Sequence, residues 1–255
     1  MKRIQSSSNV RIKALHTMIR KNNYSERWVV EGRTLFLDAL ASGVRFEEIF
    51  VTPAMLPRLE APLKSLEDGV DVYEIPAALM KSISTLDTPP GVLGVAARGT
   101  LPGPVAVRRF ATLLISLRDP GNLGALARSA EAAGCEFLAC SQDCAEPHQP
   151  KSVRASMGSL FRVPAFKVPD VRDYLRKMRS SKVTIYALLP HQGADLFRTQ
   201  LQYPALIVIG GETAGVPEDL PVDVRVTIPM KGRVESLNSA MAGTLCFYRF
   251  GNNDA

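Results

Sequence analysis

The sequence has few of the residues that bind metals or form disulfides. Its 255 residues include four cysteines and three histidines. Four cysteines do not make a disulfide framework in a chain of this length, and they suit the reducing cytoplasm, where we expect the protein to work. Cys140, Cys144 and His148 are spaced four residues apart, but no second cysteine pair accompanies them. Structural zinc sites take four protein ligands, so we expect no metal.

Long hydrophobic runs are also missing. The chain is 46% hydrophobic, yet no stretch of about 18 consecutive apolar residues occurs, which is the length that a membrane-spanning helix needs. The first residues, MKRIQSSSNVRIKAL, lack the apolar core of a secretory signal. We therefore expect a globular protein without a membrane partner, long enough for one large domain or two modest ones.

The common signatures of nucleotide sites and hydrolases are absent. The glycine-bearing segments DPGNLG and GGETAG match neither the dinucleotide pattern GxGxxG nor the P-loop pattern GxxxxGK[ST]. No GxSxG segment occurs either, so a hydrolase triad has little support. A nucleotide-dependent enzyme on an ordinary doubly wound sheet remains an alternative with no fingerprint to favour it.

Positive charge is concentrated at the N-terminus. Residues 1–27 carry seven lysines or arginines against Glu26 alone, which accounts for the whole net charge of +6. A basic segment of this kind attracts polyanions such as nucleic acids without a sequence preference. A solvated surface helix and an organelle transit peptide are the alternative interpretations.

The pattern of strands and helices predicts two domains. Helix-like and strand-like segments alternate irregularly up to residue 98, and the segment RGTLPGPVAVRRF then interrupts all periodicity. We predict a small domain at residues 1–98, a linker at 99–110 and a larger domain at 111–255. In the larger domain, buried strands such as ATLLIS, VTIYALL and ALIVIGG alternate with helices such as NLGALARSAEAAG and LNSAMAGTLCFYRF. This alternation indicates an α/β fold with a mostly parallel sheet covered on both faces.

Three polar clusters follow predicted strands of the larger domain, at the edge where open parallel sheets bind ligands. They are Asp119, Asn122 and Arg128; then Gly210, Gly211, Glu212 and Gly215; and finally Ser236 and Asn238. Each also has a structural interpretation. Asn122 is a possible helix N-cap, Arg128 a possible partner of Glu131, Glu212 a residue of a tight turn, and Ser236 or Asn238 a possible cap of the last helix.

These segments resemble the SpoU family of RNA ribose 2′-O-methyltransferases. DPGNLGALARSAEAAG, IGGETAGVP with VTIPM, and ESLNSAMAGTLCFYRF are similar to the three motifs of that family, in the same order. CAEPHQPKSVRASMGSLFRVP is similar to the segment that links them. The N-terminal segments SSSNVRIKAL, VVEGRTLFLDAL and STLDTPPGVLGV are similar to the family's small substrate-binding domain, which is related to ribosomal protein L30e. The resemblance covers nearly the whole chain.

The resemblance implies a SPOUT fold, in which the C-terminal segment threads a loop to form a trefoil knot. An L30e-like α/β domain would precede this domain. The knot would hold S-adenosyl-L-methionine, usually within a homodimer. Glycines make chemical sense there, because a side chain would keep the backbone away from the ligand. By resemblance, the residues that bind the methyl donor are Gly210, Gly211, Gly215, Ile228, Met230 and Leu237.

The resemblance also implies catalytic residues and a substrate. Arg128 would activate the ribose hydroxyl; because an arginine stays charged, we expect it to bind the neighbouring phosphate rather than to remove a proton. Asn122, Glu212, Ser236 and Asn238 would orient the site. The substrate would be structured RNA, and ribosomal RNA is favoured because the N-terminal segments resemble members that act on it.

The third motif departs from the family pattern. The family reads S-L-N-V-S-V-A, whereas this chain reads S-L-N-S-A-M-A from Ser236, so that Ala240 replaces the second serine. The departure leaves room for an RNA-binding protein that keeps the fold without activity. A transfer RNA 2′-O-methyltransferase is a further alternative.

Overall fold

The computed structural model describes residues 1–24, 27–66, 69–97 and 106–252. The chain forms two compact units, one made of Met1–Thr100 and His148–Arg154, the other of Leu101–Pro147 and Ala155–Ala255. Most of the predicted linker, residues 99–105, lies outside the described residues. The grouping of His148–Arg154 with the first unit was not expected from the sequence. No described helix is both long and apolar enough to cross a bilayer.

The first unit is built on a mixed sheet of five strands in the order β1-β4-β3-β5-β2. Strands β1 and β3 run parallel to β4, whereas β2 and β3 run antiparallel to β5. The strands are β1 (Lys2–Arg3), β2 (Arg27–Glu31), β3 (Phe46–Val51), β4 (Asp71–Glu74) and β5 (Val92–Ala97). The helices are α1 (Val10–Arg20), α2 (Arg33–Ala41), α3 (Glu60–Lys64) and α4 (Ala77–Ile83).

The basic N-terminal segment is a folded part of this unit. Helix α1 buries Ile12 and Leu15 in the core of the first unit. The Nζ of Lys2 lies 2.8 Å from a carboxylate oxygen of Asp71, and Arg11 bonds to Glu48 and lies 3.1 Å from Asp71. The segment is therefore packed into the first unit, and part of its positive charge is paired. Three cations on or beside α1 make no ion pair with a described residue: Lys13, Arg20 and Lys21.

The second unit is built on a seven-stranded sheet in the order β10-β12-β9-β11-β6-β7-β8. All of its strand pairs are parallel, as the sequence predicted. The strands are β6 (Phe110–Ile115), β7 (Leu138–Cys140), β8 (Ala165–Lys167), β9 (Thr184–Leu189), β10 (Ala194–Asp195), β11 (Ala205–Gly210) and β12 (Val224–Thr227). The helices are α5 (Pro120–Ala133), α6 (Pro150–Ala155), α7 (Val171–Ser180) and α8 (Ser239–Gly251), and most of α6 lies in the segment that groups with the first unit.

Both faces of this sheet are covered, which explains the continuous apolar runs of its central strands. All six residues of β6 are buried. On one face, Leu113 joins a core cluster with Leu175 of α7. Phe110 points to the opposite face because side chains alternate along a strand, and there it packs against Phe247 and Phe250 of α8 at ring-centroid distances of 6.3 and 6.1 Å.

Gly251, the last residue of α8, packs directly against the end of α5. A Cβ atom at this position would lie 2.3 Å from the carbonyl oxygen of Ala133. We predict that Gly251→Ala lowers the free energy of unfolding by about 1–3 kcal/mol, as overpacking of a close contact does. Urea denaturation measures this. The control is Gly232→Ala, where a Cβ atom meets nothing within 4 Å and we expect a change below about 0.5 kcal/mol. Equal stability of the two variants would contradict the prediction.

Candidate active site

The three predicted polar clusters meet at the carboxylate of Glu212. Its Oε1 accepts hydrogen bonds from the Nδ2 of Asn122 at 2.8 Å and from the Nδ2 of Asn238 at 2.7 Å. The two asparagines also contact each other, with the Nδ2 of Asn238 lying 3.2 Å from the Oδ1 of Asn122. One residue from each cluster therefore takes part, although Asn122 and Asn238 are 116 positions apart. We call these three residues the carboxamide cluster.

Asn238 caps a helix in addition to binding Glu212. Its Oδ1 accepts from the backbone N–H of Ala240 at 2.9 Å and lies 3.3 Å from that of Met241, at the start of α8. Asn238 is therefore both the cap of α8 and a member of the candidate site.

Asn122 does not cap its helix, contrary to the structural alternative. The N-cap of α5 is Asp119, whose Oδ1 accepts from the backbone N–H of Asn122 at 2.8 Å. Asn122 lies within the first turn, and its side chain is therefore available for Glu212.

A cavity of about 160 Å³ lies beside the carboxamide cluster. Glu212 and Ser236 line it, and so do all six residues predicted to bind the methyl donor: Gly210, Gly211, Gly215, Ile228, Met230 and Leu237. Other residues of its wall were not predicted. Leu188, Leu189 and Pro190 follow the pattern of a buried strand, and no polar residue there indicated a site. They could have been predicted from the order of strands in the sheet, because β9 pairs with β11, and the end of β11 lines the cavity.

The glycines in the cavity wall are required by contacts within the protein. A Cβ atom on Gly210 would lie 2.1 Å from the carbonyl carbon of Gly215, and one on Gly211 would lie 2.1 Å from the carbonyl oxygen of Ser116. Gly215 has a φ of +61°, which few other residues adopt. We predicted Gly210 and Gly211 from the need of a ligand to approach the backbone. The structure gives a different reason, since the chain packs closely against itself here.

Arg128 lies apart from the cavity wall, on the exposed face of α5. It follows Asn122 by six positions and makes no hydrogen bond or ion pair with any residue that the structure describes. The alternative that Arg128 pairs with Glu131 is wrong, because Glu131 binds Arg162, with Nη2 at 3.2 Å and Nε closer. The guanidinium group of Arg128 is therefore available for a ligand.

The loop that joins β6 to α5 is held in a strained conformation. Ser116 has a φ of +52°, which costs energy for a residue with a Cβ atom. Its Oγ donates to Asp143 Oδ2 at 2.5 Å, and its backbone N–H donates to the Oγ of Ser141 at 3.0 Å. Ser141 in turn donates to Asp143 Oδ1 at 2.5 Å. These two hydroxyl groups hold the pKa of Asp143 below its usual range. No motif in the sequence indicated this support.

The cysteines and the histidine that first suggested a metal have separate surroundings. Cys144 accepts from the backbone N–H of Leu117 at 3.3 Å, and its hydrogen bond with Cys140, together with weaker polar contacts, lowers the pKa of Cys144 to about 6. His148 packs edge-on against Trp28 of the first unit, with ring centroids 4.9 Å apart. Within the described ranges, no group of three or more histidines, cysteines or acidic residues is arranged to hold a metal ion.

Comparison with known proteins identifies the family. Residues 109–248, more than half of the chain, match the SpoU rRNA Methylase family. The chain belongs to this family. Residues 9–94 match the MRM3-like substrate binding domain. The family and the fold class expected from the three motifs are thereby confirmed, including a substrate-binding domain before the methylase domain.

Three relatives illustrate the extent of the similarity. The chain is 28% identical to the 23S rRNA (guanosine(2553)-2′-O)-methyltransferase RlmP of Bacillus subtilis, covering 97% of this chain and 98% of the relative. It is 32% identical to the 23S rRNA (uridine(2479)-2′-O)-methyltransferase of Streptomyces viridochromogenes, covering 80% and 67%. The crystal structure of an AdoMet-bound rRNA methyltransferase from Sinorhizobium meliloti superposes with a TM-score of 0.87 at 25% identity, covering 100% and 98%.

The support of Ser116 by Asp143 can be tested by its effect on stability. Asp143→Ala removes both hydroxyl contacts, and we expect it to lower the free energy of unfolding by about 1–2 kcal/mol at pH 7. Because the pKa of Asp143 is lowered in the folded protein, this contribution is present above the unfolded pKa of about 3.9 and is lost as the pH falls through the folded value. Urea denaturation of both proteins at pH 7 and pH 3 measures the difference.

The control for this test is Glu218→Ala, which removes an exposed acidic side chain of the same unit. We expect it to change stability by less than about 0.5 kcal/mol. A difference between wild type and Asp143→Ala that is as large at pH 3 as at pH 7 would show that the charged carboxylate does not support the loop.

Proposed function

We propose that the protein transfers the methyl group of S-adenosyl-L-methionine to a ribose 2′-hydroxyl of ribosomal RNA. The observation that carries this proposal is the carboxamide cluster beside a cavity lined by the predicted cofactor residues. Ribosomal RNA is favoured over transfer RNA because residues 9–94 match the MRM3-like substrate binding domain and because the two curated relatives are named as 23S rRNA methyltransferases. The exposed cations of α1 offer charge for such a polyanion.

The cavity fits the chemistry of this methyl donor. Ile228, Met230 and Leu237 provide apolar wall for the adenine ring, and Glu212 and Ser236 add polar groups to the same wall. When bound, the donor supplies a methyl group that is already activated by the positive sulfur. The protein then has to bind the methyl donor and the RNA, align the ribose oxygen with the methyl group, and exclude water. Alignment alone contributes much of the acceleration of such reactions.

Arg128 is proposed to bind the phosphate next to the target ribose. A 2′-hydroxyl is a poor nucleophile until it begins to lose its proton. An arginine stays charged at neutral pH and is therefore an unsuitable base, but its charge stabilises the developing alkoxide while the phosphate oxygen accepts the proton. The carboxamide cluster orients the surrounding loops. Ser236 lies in the cavity wall, two positions before Asn238 of the cluster.

The alternative of an inactive RNA-binding protein rested on Ala240. Ala240 is 7% exposed, and its backbone N–H donates to the Oδ1 of Asn238. A serine at this position would make the same backbone contact, so the substitution leaves the carboxamide cluster intact. We therefore propose an active enzyme.

The proposal includes a homodimer. Met241, Leu245 and Tyr248 of α8 are 64%, 41% and 45% exposed, and their spacing of four and three residues places them on one helix face. An apolar face of this kind suits a self-complementary contact with a second copy. A trefoil knot in the second unit and a cytoplasmic location complete the proposal.

The catalytic role of Arg128 can be tested by substitution. We predict that Arg128→Ala lowers methyl transfer at least about a hundredfold, the effect of removing one electrostatic stabiliser. Arg128→Lys should also fail, since an ammonium group lacks the planar fork of donors. Incorporation of labelled methyl into unmodified 23S rRNA transcripts measures the rate, and calorimetry with S-adenosylmethionine should show unchanged binding.

The matched control is Arg176→Ala, which removes an exposed arginine on α7. Its rate should equal that of the wild type. Wild-type turnover by Arg128→Ala would refute the mechanism, and an absence of heat on addition of the methyl donor to the wild type would refute the function.

The homodimer can be tested by placing a charge on α8. We predict that Leu245→Asp converts a dimer into a monomer, because an interface that buries an unpaired carboxylate is strongly destabilised. Sedimentation velocity measures the mass. The control is Phe197→Asp, a substitution at an apolar side chain that is 49% exposed elsewhere in the same unit, and it should leave the dimer intact. A wild type that sediments as a monomer at micromolar concentration would contradict the proposal.

A further inference from the structure

A short basic segment borders the cavity of the candidate site. Met230 and Ser236 both line the cavity, so the five residues between them, 231–235, leave its wall and return to it. All five are exposed. We call residues 231–235 the rim segment. It contains Lys231 and Arg233 together with one acidic residue, Glu235.

The cations of the rim segment are not paired with other described residues of the chain. Many other arginines and lysines of the second unit hold a carboxylate or a backbone carbonyl, as Arg162 holds Glu131 and Arg225 holds the carbonyl of Glu218. In contrast, Lys231 and Arg233 make no hydrogen bond or ion pair with the parts of the chain that the structure describes. Charged groups that are not needed for packing are available for an external anion.

The position of these cations relative to the sheet supports a role in binding. The rim segment follows β12 and therefore lies at the carboxyl edge of the parallel sheet, where the cavity lies. Two other exposed cations of the same unit, Arg108 and Lys182, have charged side-chain groups that make no ion pair with a described residue; they precede β6 and β9 and so lie at the opposite edge. They provide a comparison of equal charge away from the site.

We propose that Lys231 and Arg233 bind phosphodiester groups of the RNA strand on either side of the target nucleotide. This inference rests on the proposed function and adds the element that holds the strand at the cavity. An arginine binds a phosphate through two parallel hydrogen bonds, and a lysine binds it as a point charge. Because backbone phosphates occur in every RNA sequence, the rim segment contributes affinity and position, whereas other parts of the protein select the nucleotide.

The test compares two double variants that each remove two positive charges. One is Lys231→Ala with Arg233→Ala, and the control is Arg108→Ala with Lys182→Ala. The probe is a fluorescein-labelled 20-nucleotide oligouridylate, and its dissociation constant is measured by anisotropy over a range of NaCl concentrations. Each phosphate contact on a single strand contributes about 0.7 to the slope of log K against log salt. We expect the slope of the rim variant to be smaller by about 1.4 than that of the wild type, and the slope of the control to be unchanged.

Equal slopes for the two double variants would overturn the inference. A second measurement separates phosphate binding from a role in holding the carboxylate of the methyl donor. Calorimetry with S-adenosylmethionine should give the same affinity for the rim variant and the wild type. Weaker binding of the methyl donor with an unchanged salt slope would show that these cations serve the cofactor, and the inference would fail.

Methyl transfer to 23S rRNA transcripts distinguishes this inference from the proposed function. We expect the rim variant to show a KM for RNA raised several-fold and a kcat within about twofold of wild type, because phosphate contacts made equally in the ground and transition states affect binding alone. An unchanged KM overturns the inference while the proposed function stands. A wild type that transfers no methyl group would overturn the proposed function. If the rim variant then still showed a reduced salt slope, phosphate binding by Lys231 and Arg233 would remain supported.

Discussion

The candidate site depends on one carboxylate oxygen that accepts two amide donors. Glu212 Oε1 joins Asn122 in the first turn of α5 to Asn238 at the start of α8. Hydrogen bonds to a charged acceptor are stronger than those between neutral groups. The same oxygen thereby joins two helix ends and the loop after β11. The cavity lies beside this junction, since Glu212 lines its wall.

The order of strands explains why these distant segments meet. Strands β6 and β11 are neighbours in a parallel sheet, so the loops that follow them leave the same edge side by side. Their backbones come so close that Gly211 has no room for a Cβ atom beside Ser116. The strained Ser116 is held from its other side by Asp143. Close packing between these loops therefore contributes to the position of the carboxamide cluster.

Much of the fold could be predicted because its central strands and the polar residues after them form patterns within short stretches of sequence. The apolar runs of β6, β9 and β11 predicted a parallel sheet, and the clusters at strand exits contained the three residues that meet in the site. Other features depend on contacts between distant residues and leave no periodic pattern. The bond from Ser116 to Asp143, the ion pairs of the N-terminal segment and the grouping of His148–Arg154 with the first unit are of this kind. Strands as short as β8 and β10 have too few residues to show an alternation.

The carboxamide cluster also has a chemical weakness. Its geometry requires a neutral amide at both asparagine positions, since each donates an N–H group to the same oxygen. Spontaneous deamidation would exchange that donor for a second carboxylate of nearly identical shape. Two negative charges would then face each other at about the length of a hydrogen bond, where like charges repel strongly. Loss of one ammonia molecule would thus remove one of the two hydrogen bonds that join the helix ends at Glu212.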